Sequence, residues 1–137
     1  MDNTISFDLV SPEQLVFNDK VGMIIIPGKE GDIGVLPGHS KLLSSLRSGR
    51  VMVYGEGKQL LKSFFVSAGF VEVNPEKCIL LAEEVFEMNT LDKNIIKQQI
   101  QELENKTSDE SEQQYLIAKS KIAALEIKIS IFPPDSL

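Results

Sequence analysis

The sequence predicts an all-β sandwich in its N-terminal part followed by an α-helical hairpin, and three observations carry that reading. From Thr4 to about Glu84, short apolar or alternating runs rich in Val, Ile and Phe are cut at short intervals by Gly, Pro, Asn and Asp, the pattern of a sheet protein with tight turns. After about Thr90, Gly is absent, no Pro occurs until Pro133, and Lys, Glu, Gln and Ile dominate, a composition that favours helix. Within that second part Tyr115, Ala118, Ile122, Leu125 and Ile129 recur at steps of three and four, which keeps them on one stripe of a helix. The expected division is residues 1–86 as the sandwich and residues 87–137 as the hairpin with a frayed tail.

Taken in order, Ile5-Ser6-Phe7-Asp8-Leu9 alternates cleanly, so Ile5, Phe7 and Leu9 are expected on the buried face of a first strand. Residues 21–26, 50–54, 59–67, 70–73 and 77–82 read as further strands, while residues 41–47 fit either a strand or a helical turn. Pro27-Gly28, Glu30-Gly31-Asp32, Pro37-Gly38, Ser48-Gly49, Gly55-Glu56-Gly57 and Asn74-Pro75 supply turn chemistry between them. Asn89 or Thr90 is expected to cap a first helix carrying Leu91, Ile95, Ile100 and Leu103, which the polar stretch 105–111 breaks. In the second helix Ala118, Ala123 and Ala124 leave room for a neighbour, and Pro133-Pro134 ends the helical pattern. Two short helices are marginal by themselves in water. They need a partner surface, either the sandwich or another protein.

With 137 residues and 42% hydrophobic content the chain is able to build a core. Its formal net charge of -6 and pI near 4.8 argue against a phosphate-backbone binder, because the Lys residues are spread among Glu and Asp instead of gathered on one face. Apolar runs are short, as at Met23-Ile24-Ile25-Ile26-Pro27, far from the ~20 residues of a membrane-spanning helix. The opening Met1-Asp2-Asn3-Thr4 lacks both a basic start and an apolar segment, so no secretory or transit signal is expected. Cys78, the one cysteine, lies in an apolar run with no basic neighbour and reads as an inert core thiol.

Chemistry-bearing residues are sparse. His39 is the sole histidine, whereas a metal or acid–base site of the usual kind needs companions. Gly28-Lys29-Glu30-Gly31-Asp32-Ile33-Gly34 lacks the Gly-Lys-Ser/Thr ending of a phosphate loop, and Val35-Leu36-Pro37 does not open a helix. Glu83-Glu84, Asp8 and Glu13 have no evident partner that would separate their proton affinities. No catalytic, metal or cofactor site is expected, and the pattern suggests an interaction protein.

Phe7-Asp8-Leu9-Val10-Ser11-Pro12-Glu13-Gln14, Val16-Phe17 and the continuous stretch from Ile26-Pro27-Gly28-Lys29-Glu30-Gly31-Asp32 to Pro37-Gly38-His39-Ser40-Lys41-Leu42-Leu43 closely resemble the epsilon subunit of bacterial and chloroplast rotary ATP synthases, whose mitochondrial counterpart is named delta. Leu46-Arg47-Ser48-Gly49, the run from Phe65 to Val73, and Ile79-Leu80-Leu81-Ala82-Glu83 continue the match, which covers residues 4–84; beyond Thr90 it rests on Leu91-Asp92 and the two-helix pattern. The resemblance implies a non-catalytic central-stalk protein, peripheral on the cytoplasmic face of a bacterial inner membrane, that couples rotation of the membrane c-subunit ring to the catalytic head. It implies a sandwich bound to the gamma subunit and the ring, with Glu30 and Asp32 facing the ring and His39 near the gamma–ring junction. It further implies a regulatory hairpin that reaches the catalytic beta subunits and restrains ATP hydrolysis. Some relatives bind ATP at the start of the first helix through a motif that carries Arg and Ala where this chain has Ile95 and Ile96. Weak or no ATP binding is therefore expected, against the alternative of a free-standing nucleotide-sensing module.

Overall fold

The computed structural model describes residues 3–104 and 109–126. Eight strands come first: β1 (Ile5–Val10), β2 (Leu15–Val21), β3 (Met23–Gly28), β4 (Gly31–Val35), β5 (Leu42–Leu46), β6 (Gly49–Tyr54), β7 (Leu60–Val73) and β8 (Lys77–Glu87). A 3-10 turn at Met88–Thr90 and the helices α1 (Lys93–Glu104) and α2 (Asp109–Glu126) follow. The architecture is the expected one, a β-sandwich and then two helices.

The strands hydrogen-bond in the order β2-β1-β8-β7-β5-β3-β4, with β6 bridging β3 and β7. Only β1 and β8 run parallel; the other pairs are antiparallel. β7 ties the two layers together, because its first half pairs with β6 and its second half with β5. The alternation of β1 buries Ile5, Phe7 and Leu9 as expected, against Ile24 and Ile26 of β3, Val51 and Val53 of β6, Phe64 and Val66 of β7 and Leu80 of β8. Phe17 packs its ring 5.8 Å from Phe7 and 5.9 Å from Phe64, within the range of favourable aromatic pairs.

β7 is one strand where two are expected, yet its inward face changes phase midway. Phe64 and Val66 face the core before Ser67, and Val71 and Val73 face it after Gly69. Gly69 has φ +154, and a Cβ there would lie 1.9 Å from the Leu81 carbonyl oxygen. Only glycine permits that approach.

Two strands absent from the sequence reading, β2 and β4, are the ends of the strand order. An edge strand buries little of either face, and in β4 only Val35 is fully buried, so its Gly-Asp-Ile-Gly-Val reads as a turn. Residues 42–46, open between strand and helical turn, are strand β5.

The start of α1 also differs from expectation. Asp92, not Asn89 or Thr90, caps it, its Oδ1 accepting from the N–H groups of Asn94 at 2.8 Å and Ile95 at 3.2 Å. The cap position sets the phase of the helix. Ile96 is therefore buried while Ile95 is 56% exposed. In α2 Ala118 is buried, Tyr115 and Ile122 are half-buried, and Leu125 lies in the helix with its side chain outside the described residues, as is Ile129 altogether. The hairpin meets the sandwich through Phe65 and Met88, with Phe86, Leu91 and Ile117 packed around them.

Candidate functional site

The β3–β4 hairpin turns at Lys29-Glu30, held by pairing of Pro27 with Asp32 and of Gly28 with Gly31. A Cβ on Gly28 would come within 2.6 Å of the Gly31 carbonyl oxygen, so the turn closes this tightly only with glycine there. Glu30 and Asp32 are both exposed, and they share an open groove of about 520 Å³ with Leu42–Ser45. Asp32 is not a free charge: the Arg47 guanidinium donates to its Oδ1 and also to the Gly28 carbonyl. The backbone N–H of Arg47 donates to Pro27 O at 3.0 Å, and that of Lys29 to Ser45 O at 2.9 Å. Arg47, which sequence reasoning did not single out, thus clamps the turn to the end of β5. The ion pair is exposed and contributes ~0 to 1 kcal/mol, so its effect is orientation more than stability.

His39 stands apart from this groove. Its backbone N–H donates to Leu36 O at 3.1 Å, and Nδ1 lies 2.6 Å from Ser40 O. Gly38 donates to Pro75 O at 2.9 Å. Pro37 and Gly38 therefore line a different cleft, of about 640 Å³, with Thr4, Ser6, Lys20 and Glu76. The structure sets Glu30 and Asp32 in one groove and joins Arg47 to Asp32, and it does not bring His39 to them.

A third surface was not singled out from the sequence. Leu43 on β5 is 70% exposed, Phe70 on β7 48% and Leu81 on β8 38%. Register places them side by side, since Phe70 pairs with both Ser45 and Leu81, and Leu43 pairs with Glu72. Glu72 and Glu83, also exposed, lie beside the apolar patch. Its signal was present in the alternation: Phe70 is in phase with Glu72 and Leu81 with Glu83, opposite to the buried Val71, Val73, Leu80 and Ala82. Adjacent large apolar side chains on the polar face of a sheet are a mark of a partner surface.

The sandwich matches the model of the β-sandwich domain of the ATP synthase delta/epsilon chain over residues 4–88. The ATP synthase epsilon chain of Rhodospirillum rubrum is 37% identical over 132 residues, spanning 90% of this chain and 98% of that one. That of Parvibaculum lavamentivorans is 41% identical over 73% of this chain and 75% of its own length. Among solved structures, a chain of the Euglena gracilis mitochondrial ATP synthase OSCP/F1/c-ring assembly shares the fold with TM-score 0.73, at 22% identity over 92% of this chain and 79% of that one. A chain of the Tetrahymena thermophila mitochondrial ATP synthase central stalk/c-ring structure gives TM-score 0.58 at 15% identity, over 88% and 92%. A sandwich matched along its whole length, and relatives that extend the match through the hairpin, place this chain in the family of ATP synthase epsilon chains.

Proposed function

We propose that the protein is the non-catalytic epsilon subunit of the central stalk of a proton-translocating ATP synthase, coupling rotation of the membrane c ring to the catalytic head. The observation that carries this reading is the exposed Leu43-Phe70-Leu81 patch on a stiff sandwich. A close-packed sandwich deforms little under load, and an apolar patch beside acidic side chains suits a permanent protein partner. In this reading the patch receives the gamma subunit, and the Glu30–Asp32 turn, oriented by Arg47, sets its groove on polar groups of the c ring. His39, next to the separate cleft that Pro37 and Gly38 line, lies near the junction of the two. No described helix is long and apolar enough to cross a membrane, so attachment to the bacterial inner membrane runs through the complex, at its cytoplasmic face. Residues 1–86 form the coupling unit and residues 87–137 a regulatory hairpin that restrains hydrolysis through contact with the catalytic beta subunits.

The test is co-purification. Phe70→Lys combined with Leu43→Asp changes only exposed side chains, so the isolated protein stays folded, while its yield with the detergent-solubilised ATPase falls at least tenfold. Full retention of the double variant in the complex sinks the assignment of this face.

A further inference from the structure

We propose that the seat of α2 on the sandwich is tuned for release by two polar groups, the Ser67 hydroxyl and the Lys121 ammonium, enclosed beside the apolar cluster that the hairpin covers. Both lie on the face that the hairpin covers. Phe65 pairs with Phe86 and Ser67 with Glu84 across β7 and β8, and alternation puts Ser67 on the same side as Phe65, which belongs to the cluster holding Met88 and Ile117. Glu84 lines the same cleft as Ile117, Ala118 and Lys121 of α2. Ser67 is 1% exposed, and its Oγ has no hydrogen-bond partner among the described residues. A hydroxyl enclosed in that way keeps the full cost of leaving water.

Lys121 is half-buried, with its Nζ 4.1 Å from the centroid of Phe86 and 5.9 Å from that of Phe65. Attraction to the ring faces offsets part of the loss of hydration. No carboxylate lies within ion-pair distance of Lys121 among the described residues. Burial lowers the Lys121 pKa from its ordinary value, with Glu84 acting in the opposite sense, as expected of an ammonium whose partners do not replace its water. The apolar side chains Phe65, Phe86, Met88, Ile117 and Ala118 hold α2 down, and these two groups work against them. The docked hairpin is therefore weaker than its apolar seam alone would make it.

This deepens the regulatory reading of the hairpin but depends on it only for its purpose. The test is amide hydrogen exchange of the full chain, comparing α2 amides with those of Phe64–Val66, which report global unfolding. Ser67→Ala and Lys121→Met are each expected to slow α2 exchange by about fivefold or more, in line with removal of an uncompensated buried polar group, with the core amides showing that each variant is folded. Lys121→Arg, which keeps the charge, leaves α2 exchange unchanged or faster. Unchanged or faster α2 exchange in Ser67→Ala overturns the proposal, and so does faster exchange in Lys121→Met, which would make the ammonium a latch. Slower exchange in both, with hydrolysis by the assembled complex unaltered, leaves the seam proposal standing and removes the brake reading instead.

Discussion

Cys78 sits on β8 opposite Phe7 on one side and Val73 on the other, completely buried. Burial, with the nearby Asp8 carboxylate adding to it, pushes its thiol up to about 12 from an ordinary value of 9.0. The thiolate is the reactive species, so at pH 8 the folded protein should not react with a thiol reagent until denaturant opens the sandwich; stoichiometric labelling of the native chain within minutes would refute this. The sign of the linkage follows: between about 9 and 12 the unfolded chain loses this proton while the folded chain keeps it, so the thiol makes stability fall as pH rises through that window. Gly69 is the second residue on which the fold turns. Replacing it by Ala sets a Cβ against the Leu81 carbonyl at a strained φ, and the expected loss is ~3 kcal/mol, read from the midpoint of denaturant unfolding. A loss below ~1 kcal/mol would mean that β7 can straighten there.

At the scale of elements, the first helix starts in a way that bears on nucleotide binding. The Asp92 carboxylate is engaged in capping the N–H groups of Asn94 and Ile95, Ile96 is buried, and Ile95 points to solvent. The ATP motif expected of some relatives carries an Arg and an Ala at these two positions, and neither Ile offers the bidentate donors that Arg gives a phosphate. Calorimetric titration should find ATP binding no tighter than about millimolar, ~4 kcal/mol of binding free energy; micromolar affinity would restore the nucleotide-sensing alternative. The same helix shows why its phase escaped sequence reading. Asn89 and Thr90 are sound caps by residue type, but Met88 is buried against Phe65, so the chain stays in a 3-10 turn there and the helix begins later. Edge strands escaped for a related reason: β2 and β4 each pair on one side only, and a strand without a fully buried face leaves a weak alternation.

For the whole molecule, the question is which part suffices for which task. β8 runs to Glu87 and Met88 seals the cluster beneath the hairpin, so a truncation that keeps the sandwich intact ends at Thr90. In a reconstituted complex this truncated chain should sustain ATP synthesis, while hydrolysis rises by less than about a hundredfold, ~2.7 kcal/mol of lost restraint. Lost synthesis would place coupling in the hairpin, and a larger rise would make the brake strong. A weak brake accords with the surroundings of the α2 lysines. Lys119 lies over the Tyr115 ring of its own helix at 4.7 Å, Lys121 lies over Phe86 of the sandwich only in the docked state, and exposed ion pairs add only ~0 to 1 kcal/mol each elsewhere.

What the sequence determined by itself was everything that short-range pattern encodes. The alternation of Ile5, Phe7 and Leu9, the turn residues, and the change to glycine-free helical composition gave the sandwich, its first core face and the hairpin, and the run from Ile26 to Leu43 gave the family. Tertiary structure alone decided which residues distant in sequence meet. It joined Arg47 to Asp32, set Phe70 of β7 beside Leu81 of β8, and laid Lys121 over Phe86. Each depends on strand register or helix docking across many intervening residues, and periodicity within one segment holds no information about the face another segment will cover.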